Sequence, residues 1–110
     1  MIYAEEEVTI QVGGVSVERL RRWVKRGWLA PAAGEQGYAY TEVDVARVDL
    51  IRQLRDDMSV DAEAVPVVLS LIDQLYGLRR ELRCFMRAID EQPQDIRAAI
   101  VERIKALQSE

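Results

Sequence analysis

A chain of 110 residues with 49% hydrophobic content can bury one modest core, so one domain with a helical extension is expected and two full domains are not. The formal net charge of −4 and pI near 4.9 exclude a general affinity for nucleic acid or anionic membrane, and any such contact must come from a local patch. With no histidine and one cysteine, Cys84, the chain has no intramolecular disulfide, no thiolate metal site, no Ser-His or Cys-His pair and no usual general base near pH 7, so neither an enzyme nor a metal- or cofactor-bearing protein is expected.

No long apolar run precedes the first charges at Glu5, Glu6 and Glu7, which leads to the expectation of a soluble cytoplasmic protein without a membrane partner. Residues 5–12 alternate at Val8, Ile10 and Val12 like a strand, yet their acidic start and the Gly13-Gly14 pair that follows suit a short helix equally well. Gly13-Gly14 lacks phosphate-loop spacing and reads as a turn. Ser16 is a good N-cap for a helix over 17–26, with Leu20, Trp23 and Val24 on one face and Gly27 as its stop. That helix carries Arg19, Arg21, Arg22, Lys25 and Arg26 against the single acid Glu18, a local +4 in an acidic chain.

Residues 28–40 have the turn residues and aromatic alternation of a small β-hairpin, with Glu35 to Thr41 reading as its return and Trp28, Tyr38 and Tyr40 as a small core beneath it. The hairpin contains no arginine or lysine. Thr41 opens the next helix, with Asp44 placed to complete a capping box, and Val43, Ala46, Leu50, Ile51 and Leu54 mark its buried side to about Asp56. Residues 58–60 form a link. Asp61 or Glu63 can cap a fourth helix starting close to Ala62, because Pro66 is tolerated only in a first turn.

From there Val68, Leu71, Leu75, Leu78, Leu82, Phe85 and Ile89 follow a seven-residue repeat, the seam of a coiled coil or helical hairpin. Gly77 inside it predicts close packing or a slight bend. Pro93 restarts a last helix with Ile96, Ile100, Ile104 and Leu107 on one stripe. The two helices pack either against each other within one chain or across a homodimer, since both arrangements use the same stripe.

Three stretches, Gly14 to Leu29, Gly37-Tyr38-Ala39-Tyr40 and Thr41 to Val48, together resemble the MerR-type winged helix-turn-helix over about residues 4–60. The resemblance implies that the first segment is a helix over 5–12, and that the helix over 17–26 is the recognition helix, which enters the major groove while wing arginines hold phosphates. Arg21 and Trp23 match the arginine and aromatic of that helix, whereas Ala39 stands where the family's wing carries its arginine. The fold expected is mainly α, with residues 1–60 as a MerR-like winged helix-turn-helix bearing a small hairpin wing. Residues 61–110 are then a helical extension that packs on it or forms a dimer interface.

Residues 53–82, with Val68-Leu69-Ser70-Leu71-Ile72-Asp73 and Leu78-Arg79-Arg80-Glu81-Leu82, are similar to the chaperone modulatory protein family CbpM, which shares the MerR-like front end. The tail over 90–110 is longer than expected for that family. That similarity implies a regulator that binds the J-domain of a CbpA-type co-chaperone and limits its stimulation of a DnaK-type chaperone. J-domains present a basic helix, so a competitor needs an acidic surface. Residues 42–63 hold seven acids against three bases, and the contact set expected is Asp56, Asp57, Asp61 and Glu63, with Arg52 and Arg55 facing acids of the J-domain. The alternative is a DNA-binding regulator in which Arg19, Arg22, Lys25 and Arg26 contact phosphates and Arg21 reads a base edge. A bare helical scaffold would do neither.

Overall fold

The computed structural model describes residues 1–35 and 37–110; Gln36, in the turn expected of the hairpin, lies outside the described residues. Residues Met1–Ser70 form one compact unit and Leu71–Glu110 a second. The first unit contains α1 (Glu5–Gln11), α2 (Val17–Lys25), the strands β1 (Ala32–Gly34) and β2 (Gly37–Ala39), and α3 (Glu42–Arg52), followed by a π-helical turn at Gln53–Asp57. Helix α4 spans Val65–Asp90 and α5 spans Gln94–Gln108. The chain is mainly helical with a small hairpin wing, as the sequence predicts.

The local codes account for most boundaries. At α1 the Glu7 carboxylate accepts the Ala4 N–H at 3.1 Å, which satisfies one of the donors left open at a helix start. Ser16 caps α2 by accepting the Arg19 N–H at 3.1 Å. The far end of α2 closes through Gly27 in the left-handed region (φ +81): the Gly27 N–H returns to the Val24 carbonyl and the Trp28 N–H to that of Trp23, each at 3.0 Å. This closure brings the two indoles together at 6.4 Å between centroids. Thr41 and Asp44 form the expected reciprocal box at α3, at 2.9 and 3.2 Å. Helix α4 begins at Val65 rather than near Ala62, after a turn in which the Asp61 carbonyl accepts from Ala64 and Val65. Pro66 still falls in its first turn.

The core of the first unit draws on its helices and the residues that join them: Val8 and Val12 from the first helix and its cap, Leu20 and Trp23 from α2, Trp28 and Leu29 from the following loop, Tyr40 after β2, Val48 and Ile51 from α3, and Val65 and Leu69 from the start of α4. Tyr3 and Tyr40 exchange two backbone hydrogen bonds, at 2.8 and 2.9 Å, and so tie the residues before α1 to the base of the wing.

Three expectations for α3 and the wing are corrected. Val43 is 77% exposed and Ala46 is exposed, while Val48 carries the buried face of α3 with Ile51. Apolar residues occupy positions all around this helix, at 43, 45, 46, 48, 50 and 51, so spacing alone could not select the face. The helix also gives way to the π-helical turn after Arg52 instead of continuing to Asp56. Tyr38 is 40% exposed, unlike Trp28 and Tyr40, because the three-residue strands carry it out beyond the core. A Cβ on Gly77 would meet only the end of the Arg80 side chain, at 4.0 Å, so no close packing within the described residues requires a glycine there.

In the second unit no side chain is buried among the described residues, and Leu71, Leu75, Leu78, Leu82 and Phe85 all stand exposed. The stripe of α5 is likewise uncovered at Ile96, Ile104 and Leu107. Among the described residues of this unit, the apolar seam thus stands exposed.

Candidate nucleic-acid and partner interface

The basic helix α2 divides its cations into two groups. Arg19 is clasped by Asp56 of the π-helical turn through both carboxylate oxygens, with Nη1 to Oδ2 at 2.8 Å, while the same Nη1 donates to the Gly14 carbonyl at 3.1 Å. Its guanidinium also lies 4.9 Å from the Trp23 ring centroid. Arg21 is held by Glu5 of α1, Nε to Oε1 at 3.1 Å and Nη2 to Oε2 at 2.8 Å. Each pair is a bidentate fork on a carboxylate, the strong geometry for this interaction. Accordingly the Arg21 guanidinium holds the Glu5 carboxyl below the usual carboxylate range, and Arg19 does the same for Asp56.

The other three bases point away from such partners. Arg22 and Lys25 are exposed and carry no ion pair among the described residues. Arg26 is exposed and spreads over the Trp28 ring at 5.2 Å from its centroid. Spacings of three and four place 22, 25 and 26 side by side on the helix surface. The wing adds no cation: β1 and β2 present alanine, glycine and tyrosine, with Glu35 in the turn.

The acidic junction between α3 and α4 is built around the π-helical turn. Arg52 lies between Asp49 at 3.3 Å and Asp57 at 3.5 Å, and Arg55 donates to the Val60 carbonyl at 2.8 Å. Both arginines thus brace the junction from within. Of the four acids, Asp56 faces α2, Asp57 keeps a long contact with Arg52, and Asp61 and Glu63 are exposed with no ion pair among the described residues. Ser59 closes the junction in the left-handed region (φ 54), which lets the Val60 N–H reach the Leu54 carbonyl at 2.8 Å.

Glu5 is the residue that sequence reading missed as a partner of the basic helix. Its signal was present in the acidic first turn of α1, but which carboxylate meets which arginine depends on the angle between two helices, and spacing along one chain does not encode it. Tyr40 is buried in the core as expected; its hydroxyl has no hydrogen-bond partner among the described residues, and burial pushes its pKa up to about 12.

Among the described residues no cluster of three acid, cysteine or histidine side chains is placed to hold a metal, and no helix is long and apolar enough to cross a membrane. No curated protein matches the chain. Residues 11–65 match the model of the MerR HTH family regulatory protein, a span that runs from the end of α1 through the turn, α2, the wing and α3 to the first residue of α4. With half of its length in that match and the helix-turn-helix, hairpin and following helix in the corresponding order, the chain belongs to the MerR HTH family of regulatory proteins.

Proposed function

We propose that this MerR-family chain works chiefly by binding protein, as a chaperone modulator of the CbpM kind that occupies the J-domain of a CbpA-type co-chaperone and limits its stimulation of a DnaK-type chaperone. The observation that carries this reading is electrostatic. Asp61 and Glu63, exposed at the α3–α4 junction, and Asp57, exposed beside its long contact with Arg52, present negative charge to a basic helix, whereas Arg19 and Arg21 of the DNA-reading helix are already matched by internal carboxylates and the wing supplies no base. A duplex would therefore meet fewer cations than a winged helix-turn-helix normally offers. Arg52 and Arg55, engaged with Asp49, Asp57 and the Val60 carbonyl, support the shape of this acidic face rather than adding free charge to it. The uncovered stripe of α4 and α5 supports pairing of two chains.

The test is calorimetric titration of the full chain with the isolated J-domain of the host's CbpA-like protein at moderate salt. Binding at micromolar concentration or tighter is expected, with charge reversal at Asp57, Asp61 and Glu63 abolishing it. Asp56 is left intact in that variant because it holds α2. No heat at several temperatures, together with no competition against the DnaK-type chaperone, would sink the reading.

A second reading, a DNA-binding transcriptional regulator, is favoured by one observation: Arg22, Lys25 and Arg26 form an exposed cationic strip on the recognition helix. Such a strip suits phosphate oxygens.

A further inference from the structure

The two partners in the Glu5–Arg21 pair are unequal. The Glu5 side chain is only 13% exposed, fixed at the start of α1, while the Arg21 side chain is 63% exposed on the outer surface of α2. Both oxygens of the carboxylate are used, one on Nε and one on Nη2. Those are the donors with which a guanidinium grips a phosphate in the same forked manner. Arg21 therefore offers a duplex only what Glu5 leaves. If the arginine swings out toward a ligand, it abandons a largely covered carboxylate without a partner, and a partner-less covered charge opposes that swing.

We propose that Glu5 is an internal competitor for nucleic-acid phosphate: its carboxylate occupies the Arg21 fork, so that α2 engages a duplex through Arg22, Lys25 and Arg26 and recruits Arg21 only when this pair opens. This rests on the reading of α2 as a phosphate-binding face. The pair sets a threshold on DNA binding that is built into the helix-turn-helix itself. It needs no effector, and its strength is the affinity of one acid for one arginine. Neighbouring acids do not duplicate the fork: Glu6 and Glu18 reach Arg21 only through the longer-range field, and Glu7 is engaged with the Ala4 N–H.

The experiment is fluorescence anisotropy of a short labelled duplex of random sequence, titrated with the full chain over a series of salt concentrations. Glu5→Gln keeps the volume and frees the arginine. It should tighten binding severalfold and steepen the dependence of log affinity on log salt by about 0.9, the value of one added phosphate contact. Glu5→Asp, whose shorter arm withdraws the carboxylate without changing net charge, should move both quantities in the same direction. Glu6→Gln makes the same charge change as Glu5→Gln without freeing an arginine and should leave the slope unchanged. Adding Arg21→Gln to Glu5→Gln should erase the gain. Thermal melting by circular dichroism confirms that each variant is folded.

If every variant binds with the wild-type slope, or if Glu6→Gln reproduces the effect of Glu5→Gln, the masking proposal falls while α2 remains a phosphate-binding face. If no variant binds the duplex even at low salt, both the proposal and that reading of α2 fall together.

Discussion

Asp56 and Arg19 join two segments 37 residues apart in sequence, helix α2 and the turn that ends α3. Arg19 is the more covered partner, and it also serves the Gly14 carbonyl and the face of Trp23, so it acts as a rivet at the helix-turn-helix junction. Asp56→Asn removes the charge and leaves that rivet with a weaker acceptor. Because the acid is partly solvated, the expected loss of stability is at the upper end for exposed pairs, about 1 kcal/mol, measured by urea unfolding at neutral pH. The pH dependence follows from the direction of the shift. A carboxyl held below its unfolded value of about 3.9 contributes stability that is fully present above that pH and is lost as pH falls through the lower, folded value. The wild type and Asp56→Asn should therefore differ at pH 7, begin to approach each other as pH falls below about 4, and meet only below the depressed folded value. A difference that persists undiminished into acid would show that the asparagine acts through packing instead.

At the scale of elements, the turn after α3 shows where local sequence stops being informative. The caps at Ser16 and Thr41 and the stop at Gly27 were legible because each works within five residues of backbone. The π-helical turn at Gln53–Asp57 was not, since its residues suit an ordinary α-helix and only the pull of Leu54 into the core and of Asp56 onto Arg19 favours the wider turn. The same holds for the candidate site: the basic residues of α2 were legible as a group, but their division into paired and unpaired required the neighbours from α1 and the turn. Ser59 pays for this closure with a left-handed conformation that L residues disfavour. Ser59→Gly relieves that strain against the greater entropy of an unfolded glycine, so a net gain of up to about 1 kcal/mol is expected. A rise in melting temperature with an unchanged circular dichroism spectrum is the outcome that agrees; a fall would mean that the serine side chain makes a contribution larger than its backbone strain.

At the scale of the whole molecule, the two units differ in what can hold them together. Met1–Ser70 owns the entire buried core, whereas Leu71–Glu110 has helices but no buried side chain among the described residues. Helix formation begins with an unfavourable nucleus, and segments without tertiary cover are marginal once shorter than about 12–15 residues, a range that includes α5. The seven-residue repeat on α4 is apolar enough that leaving it in water opposes the helix it depends on. Cover by a second chain, if it forms as proposed, would resolve the conflict and carry a concentration signature. Hydrogen exchange followed by mass spectrometry should show residues 71–107 gaining protection as protein concentration rises, while peptides containing Val8, Leu20, Val48 and Ile51 keep constant protection. Leu78→Glu with Leu82→Glu places charges on the stripe and should reproduce the dilute pattern at high concentration without loosening the core. Protection of the second unit that is independent of concentration and indifferent to these charges would mean that α4 and α5 are stabilised inside a single chain, and the pairing of two chains through this stripe would have to be given up.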